Sequence, residues 1–436
     1  MKAFSHSVAA TPDVLTSLAV KVRWRLGVPT ILFMLLSSLD RVNISFAALQ
    51  MNRELGFTPT QYGFGAGLVF AGFLLGQYPS VLLMQRYAMH RWIAGCAVLW
   101  GLTASATAFV TSAQQFYVLR VALGAAEGGL APGIVLYLTQ FAPHRARAST
   151  FALPMLAIPL SIIVGGPLSG WLMGKALPIG LAPWRWMLIA ESLPTIVLGV
   201  AAWFYFPDRP HDASWVTAAE RAALAGSSAE LAPGRAGNDW SVLAQPLVWA
   251  CGLLWFCLLS GSYGIMFWLP QMIKRLSGLT PAQIGWINAL PWLGVVLGTY
   301  YNAAHSDRTG ERFWHVAVPA LIAAAALLAA WWIGPGLAGM TALFVAGLGL
   351  GSATGAFWAL PISLLGARTL AVGAVAINIT CTAGGLVMPH LVGYVLERTG
   401  TLAGPTLVVA AALLLAAVVV VSLRLRFSGS ARVAVA

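Results

Sequence analysis

The chain has 436 residues, of which 59% are hydrophobic and only 9% charged. A soluble globular domain carries about 25% charged residues, so this balance excludes a water-covered surface and makes the lipid bilayer the outer solvent. The formal net charge of +12 comes from basic residues scattered through short loops, which argues against a nucleic-acid partner and for charges that orient the chain in a membrane.

Residues 1–22 are polar and do not form a signal peptide, because the first apolar run starts too far in and is too long. Twelve apolar runs follow, at about 26–49, 61–83, 92–111, 116–140, 149–174 and 184–206, then 247–270, 283–304, 314–333, 337–364, 370–395 and 402–423. Some 20 residues of helix cross the ~30 Å of hydrocarbon. Backbone polar groups cannot face lipid unpaired, and runs this long are not the ~10-residue alternating strands of a barrel. The expected fold is therefore all-α and integral to the membrane, with twelve transmembrane helices.

Residues 207–245, from Pro207-Asp208-Arg209-Pro210 to Gln245-Pro246, are polar and hold Glu220, Arg221, Glu230, Arg235 and Asp239. They divide the chain into a tail (1–25), a six-helix half (26–206), a linker (207–245), a second six-helix half (246–426) and a tail (427–436). Two equal halves imply an internal duplication, and the loops agree. Gln85-Arg86-Tyr87-Ala88-Met89-His90-Arg91 and Ser306-Asp307-Arg308-Thr309-Gly310-Glu311-Arg312 are both basic turns between the second and third spans of their halves. With the N-terminus inside, even-numbered loops and tails hold 17 of the 25 Lys and Arg, and the opposite side holds six. That bias predicts cytoplasmic termini and a cytoplasmic linker. The four cysteines (Cys96, Cys251, Cys257, Cys381) all lie in apolar runs without metal-ligand spacing, and read as small buried hydrophobes.

Charges inside the spans need a reason, since each costs at least ~2.5–3.5 kcal/mol near the bilayer centre. The first span contains Ser37-Ser38-Leu39-Asp40-Arg41-Val42-Asn43. Asp40 lies ~22 Å from Arg25 at 1.5 Å per residue. Asp40 and Asn43 share a helical face, while Arg41 projects about 100° away. In the fourth span Arg120 and Glu127 are two turns apart and face alike, with glycines beside Glu127 allowing close approach of a helix or ligand. Buried ion pairs rarely add net stability, so four such groups point to transport. A cavity arginine suits a substrate carboxylate through two parallel hydrogen bonds. A carboxyl withdrawn from water suits proton carriage because desolvation disfavours its charged form. Glu191, six residues beyond Arg185, reads as structural and within reach of the outer interface. His305, His315 and His390 near span ends read as loop or capping residues.

The chain resembles the major facilitator superfamily, and within it the anion:cation symporter family of bacterial sugar-acid, tartrate, phthalate and hydroxyphenylacetate carriers and vertebrate organic-anion carriers. The resemblance spans about residues 22–426. It rests on Leu39-Asp40-Arg41-Val42-Asn43-Ile44, Arg91-Trp92-Ile93-Ala94-Gly95, Arg120 through Gly133, Pro207-Asp208-Arg209-Pro210, Phe357-Trp358-Ala359-Leu360-Pro361, and Ala376-Ile377-Asn378 with Gly384-Gly385. It implies a carrier of the bacterial inner membrane that rocks around a site between its halves. Asp40 and Glu127 would handle the coupling proton. Arg41 and Arg120, with Asn43, would engage substrate carboxylate, and Trp358 and Asn378 would complete the pocket. Arg86, Asp307, Arg308 and Arg312 would form the gating loops. The chain departs from the family pattern at Gln85 and Ala88, where an acid and a glycine are usual. Gly165-Gly166-Pro167 with Gly170 only partly resembles an antiporter motif, because Ile162 stands at an expected glycine.

Proton-coupled uptake of a small organic carboxylate by a monomer is thus expected, with the proton as coupling ion and no other cofactor or metal. Exchange or uniport at the same site, and a membrane anion sensor, are the alternatives. An enzyme is not expected: there is no HExxH, no cluster of metal ligands and no nucleophile–base arrangement. A nucleotide-binding GxxxxGK[ST] loop is also missing.

Overall fold

Each apolar run closes its backbone hydrogen bonds within a helix. The computed structural model describes residues 12–84, 86–142, 147–175, 180–228, 240–276, 278–365 and 367–427. A short helix, Pro12–Val22, leads through one π-helical turn into the first span. The twelve spans are α1 (Val28–Leu55), α2 (Pro59–Met84), α3 (Met89–Ala106), α4 (Ala113–Phe141), α5 (Arg147–Met173) and α6 (Pro183–Tyr205), then α7 (Pro246–Leu276), α8 (Pro281–Thr309), α9 (Trp314–Ile333), α10 (Leu337–Leu364), α11 (Ala367–Thr399) and α12 (Ala403–Phe427). Among the described residues, ten are long and apolar enough to cross a membrane; α5 and α8, of 27 and 29 residues, run beside them. This is the all-α, two-times-six arrangement expected. Residues 229–239 of the linker, with Glu230, Arg235 and Asp239, lie outside the described residues, as does Gln85.

Several helices outrun their apolar cores. α1 continues to Leu55 and ends where Gly56 takes φ 68°, and α8 continues to Thr309 before Gly310 at φ 69°. That left-handed turn costs glycine nothing and closes the last carbonyls. α7 runs on to Leu276, with Lys274 and Arg275 in a last turn whose dipole favours cations. The fourth span of each half is also interrupted. α4 unwinds at Gly128-Gly129 immediately after Glu127, and α10 turns at Trp358.

The linker defines one face of the bundle. Lys21 Nζ lies 3.0 Å from Glu220 Oε1, His90 Nδ1 3.2 Å from Asp208 Oδ1, and the Arg424 guanidinium stacks over Trp314. Burial works against the charged form of Glu220, but the Thr217 backbone N–H and the Lys21 ammonium outweigh it and hold the carboxyl below its ordinary range. On the far face Arg185 Nη2 meets Glu54 at 3.0 Å. The halves meet toward that far face. Asn52 donates to Gln271 (3.3 Å), the Tyr62 hydroxyl to the Phe267 carbonyl (3.0 Å), and the Thr60 N–H to Glu397 (3.0 Å). Small residues let the backbones approach. A Cβ added at Gly67 of α2 would lie 2.5 Å from the Leu386 carbonyl oxygen of α11, and one at Gly285 of α8 would lie 2.3 Å from that of Gly166 in α5.

This contact yields a test. Gly67→Val is expected to force α2 away from α11, since overpacking costs about 1–3 kcal/mol. In a background lacking the four native cysteines, Thr60→Cys should then label faster from the far side. Unchanged labelling would show that this helix pair does not close the face.

Candidate functional site

Successive residues on a helix diverge, and at Asp40 and Arg41 that divergence separates two cavities. Arg41 points to the interface between the halves. There it lines a cavity of about 150 Å³ with Val69, Phe70 and Phe73 of α2, Glu127 of α4, Tyr263 of α7 and Thr382 of α11. Arg41 pairs with Glu127, and Ser37, one turn earlier on the same face, donates its hydroxyl to the same carboxyl oxygen. Glu127 is buried while the Arg41 side chain keeps 24% of its exposure, so the guanidinium reaches the cavity and the acid backs it. Phe70 and Tyr263 meet across the halves with ring centroids 4.6 Å apart, and the Arg41 guanidinium lies 5.8 Å from the Phe73 ring.

Asp40 points the other way, into the first half. Asp40, Asn43 and Ile44 of α1, Arg120 and Leu123 of α4, Leu188 of α6, and Ala104 and Thr107 at the end of α3 surround a small gap of about 10 Å³. Asn43 Nδ2 donates to Asp40 Oδ1 at 2.9 Å. Asp40 Oδ2 and Arg120 Nε and Nη2 are buried without a hydrogen-bond partner. Such groups are costly to leave unpaired.

Asp40 and Arg41 leave the helix about 100° apart, as their adjacency predicts, and Arg41 is held by Glu127. One expectation needs correction. Arg120 was expected to face the same cavity as Glu127. The two do share a face, yet seven residues at 1.5 Å each separate them by ~10 Å along the axis, and Arg120 falls in the inner enclosure with Asp40 and Asn43. Glu191 also departs from expectation. It does not reach the interface but is buried, accepting from Ser169 Oγ at 2.8 Å with Oε2 unpartnered.

Trp358 and Asn378 border neither cavity. Trp358 packs edge-on against Trp255 at 5.9 Å and Phe357 at 5.3 Å, while Trp255 and Phe357 stack at 4.2 Å. Asn378 is exposed on α11, one turn before Thr382, whose hydroxyl donates to the Asn378 carbonyl at 3.0 Å. Of the gating loops, Arg86 and Arg308 are exposed, and Arg312 Nη1 lies 2.6 Å from Asp307 Oδ1. His315 behaves as a capping neighbour. Its ring meets Glu311 at 2.8 Å, and Glu311 accepts from the backbone N–H groups of Trp314 and His315 at the start of α9. The four cysteines are buried and unpaired. A further recess of about 110 Å³ in the second half, lined by residues such as Ile265, Met272, Leu327 and Met340, is almost wholly apolar and gathers none of these groups.

Sequence reasoning missed Ser37, Tyr263 and Thr382. Spacing offers a signal for two of them: Ser37 stands four before Arg41, and Thr382 four after Asn378, so each shares its neighbour's helical face. Tyr263 has only its polarity in an apolar run.

The family model described as Major Facilitator Superfamily matches residues 30–389. A protein of Agrobacterium vitis named "Putative tartrate transporter" is 38% identical over 93% of this chain and 91% of its own length. The "Inner membrane transport protein RhmT" of Escherichia coli K12 is 32% identical over 82% of this chain and 83% of its own. Among solved structures, a bacterial homologue of the human lysosomal transporter Spinster, in an inward-facing, unoccupied conformation, superposes with a TM-score of 0.74 at 17% identity, covering 94% of this chain and 95% of that one.

Proposed function

The chain belongs to the Major Facilitator Superfamily, a family of transporters rather than enzymes, and we propose that it is a proton-coupled symporter of a small organic carboxylate. The observation that carries this reading is the Arg41–Glu127 pair at a cavity shared by both halves. With Glu127 ionised, its carboxylate occupies the guanidinium. A proton on Glu127 removes that competitor and frees a planar, two-toothed donor for a substrate carboxylate. Proton and anion then load together, and a neutralised cavity reorients across the membrane. The tartrate named in the Agrobacterium vitis relative is a small carboxylate of this kind.

In this reading Asp40 shares the coupling with Glu127, Arg120 and Asn43 set the electrostatics behind the cavity, and Trp358 and Asn378 bear on selectivity from the second half. Arg86, Asp307, Arg308 and Arg312 would gate the linker face. That face would be cytoplasmic, with both termini, in a bacterial inner membrane. The contacts between halves on the far face correspond to a carrier closed to the outside. The proton is the coupling ion, no metal or other cofactor takes part, and the working unit is a monomer.

The test is uptake by the purified full chain in proteoliposomes, with a panel of tartrate, a sugar acid and an aromatic acid. An inwardly directed proton gradient should accumulate at least one of them, and collapsing the gradient with a protonophore should stop it. Uptake that only follows the anion's own gradient, with or without the proton gradient, would make the chain a uniporter or exchanger.

A further inference from the structure

Three acids, not two, lie buried in the first half. Glu191 sits eight residues into α6, ~12 Å from its far-face end at 1.5 Å per residue. Ser169, its hydrogen-bond donor, is only four residues from the far-face end of α5. The groups that face Glu191 are Asp40 and Asn43 from α1 and Ser169 from α5, and of these only Asp40 titrates. Among the described residues no lysine, arginine or histidine lies within 4 Å of its carboxyl.

An ionised carboxylate accepts about four hydrogen bonds; Glu191 receives one from the Ser169 hydroxyl at 2.8 Å, and the Asn43 amide is the one further donor that faces it. An unpaired buried charge with so little support is far more costly than a neutral acid. Glu191 therefore holds a proton in this arrangement, and its second oxygen, Oε2, has no acceptor. On the neighbouring acid, Asp40 Oδ2 has no partner within hydrogen-bond distance, and the indole N–H of Trp100, also without one, faces that carboxyl. Asn43 lies between them, fixed on Asp40 Oδ1 at 2.9 Å, which leaves Oδ2 as the free position.

We propose that Glu191 is a proton relay that takes up a proton from the far face past Ser169 and delivers it to Asp40. The proton leaves Glu191 Oε2 and is bound by Asp40 Oδ2, so one carboxyl becomes a carboxylate as the other is neutralised and the total charge is unchanged. Arg120, which lines the same gap as Asp40, steadies the Asp40 carboxylate while Glu191 holds the proton. This rests on the symport reading above and adds its entry step, a group the Asp40 and Glu127 pair does not include.

The test uses Glu191→Gln in the full chain, which keeps the shape of the side chain and an oxygen for Ser169 to donate to. First, the infrared carbonyl stretch of protonated carboxyls, recorded at neutral pH, should lose one component relative to wild type; no loss would overturn the proposal. Second, the panel acid that wild type accumulates is used as probe. Its pH-driven uptake should slow by roughly 10²-fold, the low end for losing a positioned proton-transfer group, while counterflow exchange at equal pH stays within about twofold of wild type. Equal loss of both activities would overturn the relay in favour of a packing role, and so would unimpaired uptake. A wild type that draws no uptake from a proton gradient overturns the symport reading and the relay together, whereas a proton-driven wild type with an unaffected Glu191→Gln variant overturns the relay alone.

Discussion

Arg41→Lys is expected to weaken binding of the transported acid by roughly 10- to 100-fold, from the ~1.5–3 kcal/mol of one lost hydrogen bond to a charged group. Lysine keeps the charge but offers a point donor in place of the planar fork. Its ammonium would also sit differently against Glu127, which pairs with Arg41 and lines the same cavity. Binding measured on detergent-purified protein separates this effect from loss of membrane insertion. Arg120→Lys should be harmful as well, though by a different route, because Arg120 shares the enclosure of Asp40 and not the central cavity. If both lysine variants bound the acid as tightly as wild type, neither arginine would serve the substrate.

The spans were legible because hydrocarbon permits so few solutions. An apolar run of ~20 residues has little choice but to become a helix, and the observed helices differ mainly at ends such as Leu55 and Thr309, where polar turns continue the spiral until a glycine stops it. Asp40, Arg41, Arg120 and Glu127 were legible for the complementary reason, that a charge inside such a run stands out. Their partners were not. Which helix faces Arg41 is decided by how six spans pack, and nothing in Leu39-Asp40-Arg41-Val42 tells that the guanidinium meets α4 while its sequence neighbour turns to α3 and α6. Tyr263 and Thr382 enter only because the second half folds against the first. Glu191 misled for a related reason: its distance from Arg185 along the chain is short, but lateral burial by α1 and α5, not depth, decides whether a side chain reaches water.

The pairing also reshapes what Glu127→Gln should do. The amide keeps the shape of a protonated carboxyl and an oxygen that accepts from Ser37, but carries no charge to hold Arg41. In wild type, anion affinity should rise as pH falls, because each anion bound to Arg41 requires one proton on Glu127. Linkage of one proton to one anion sets the steepest slope at about tenfold per pH unit. Glu127→Gln should flatten that slope, binding the anion at alkaline pH about as tightly as wild type does at acidic pH. The same variant should exchange labelled for unlabelled acid across vesicles and yet fail to accumulate it when a proton gradient is the only driving force. Asp40→Asn separates the roles of the two acids. Asp40 does not touch Arg41, so its removal should leave the pH slope of binding in place and impair accumulation. Full pH-driven accumulation by Glu127→Gln would remove Glu127 from the coupling, and a binding slope that survived in it would show that Arg41 is released by some other group.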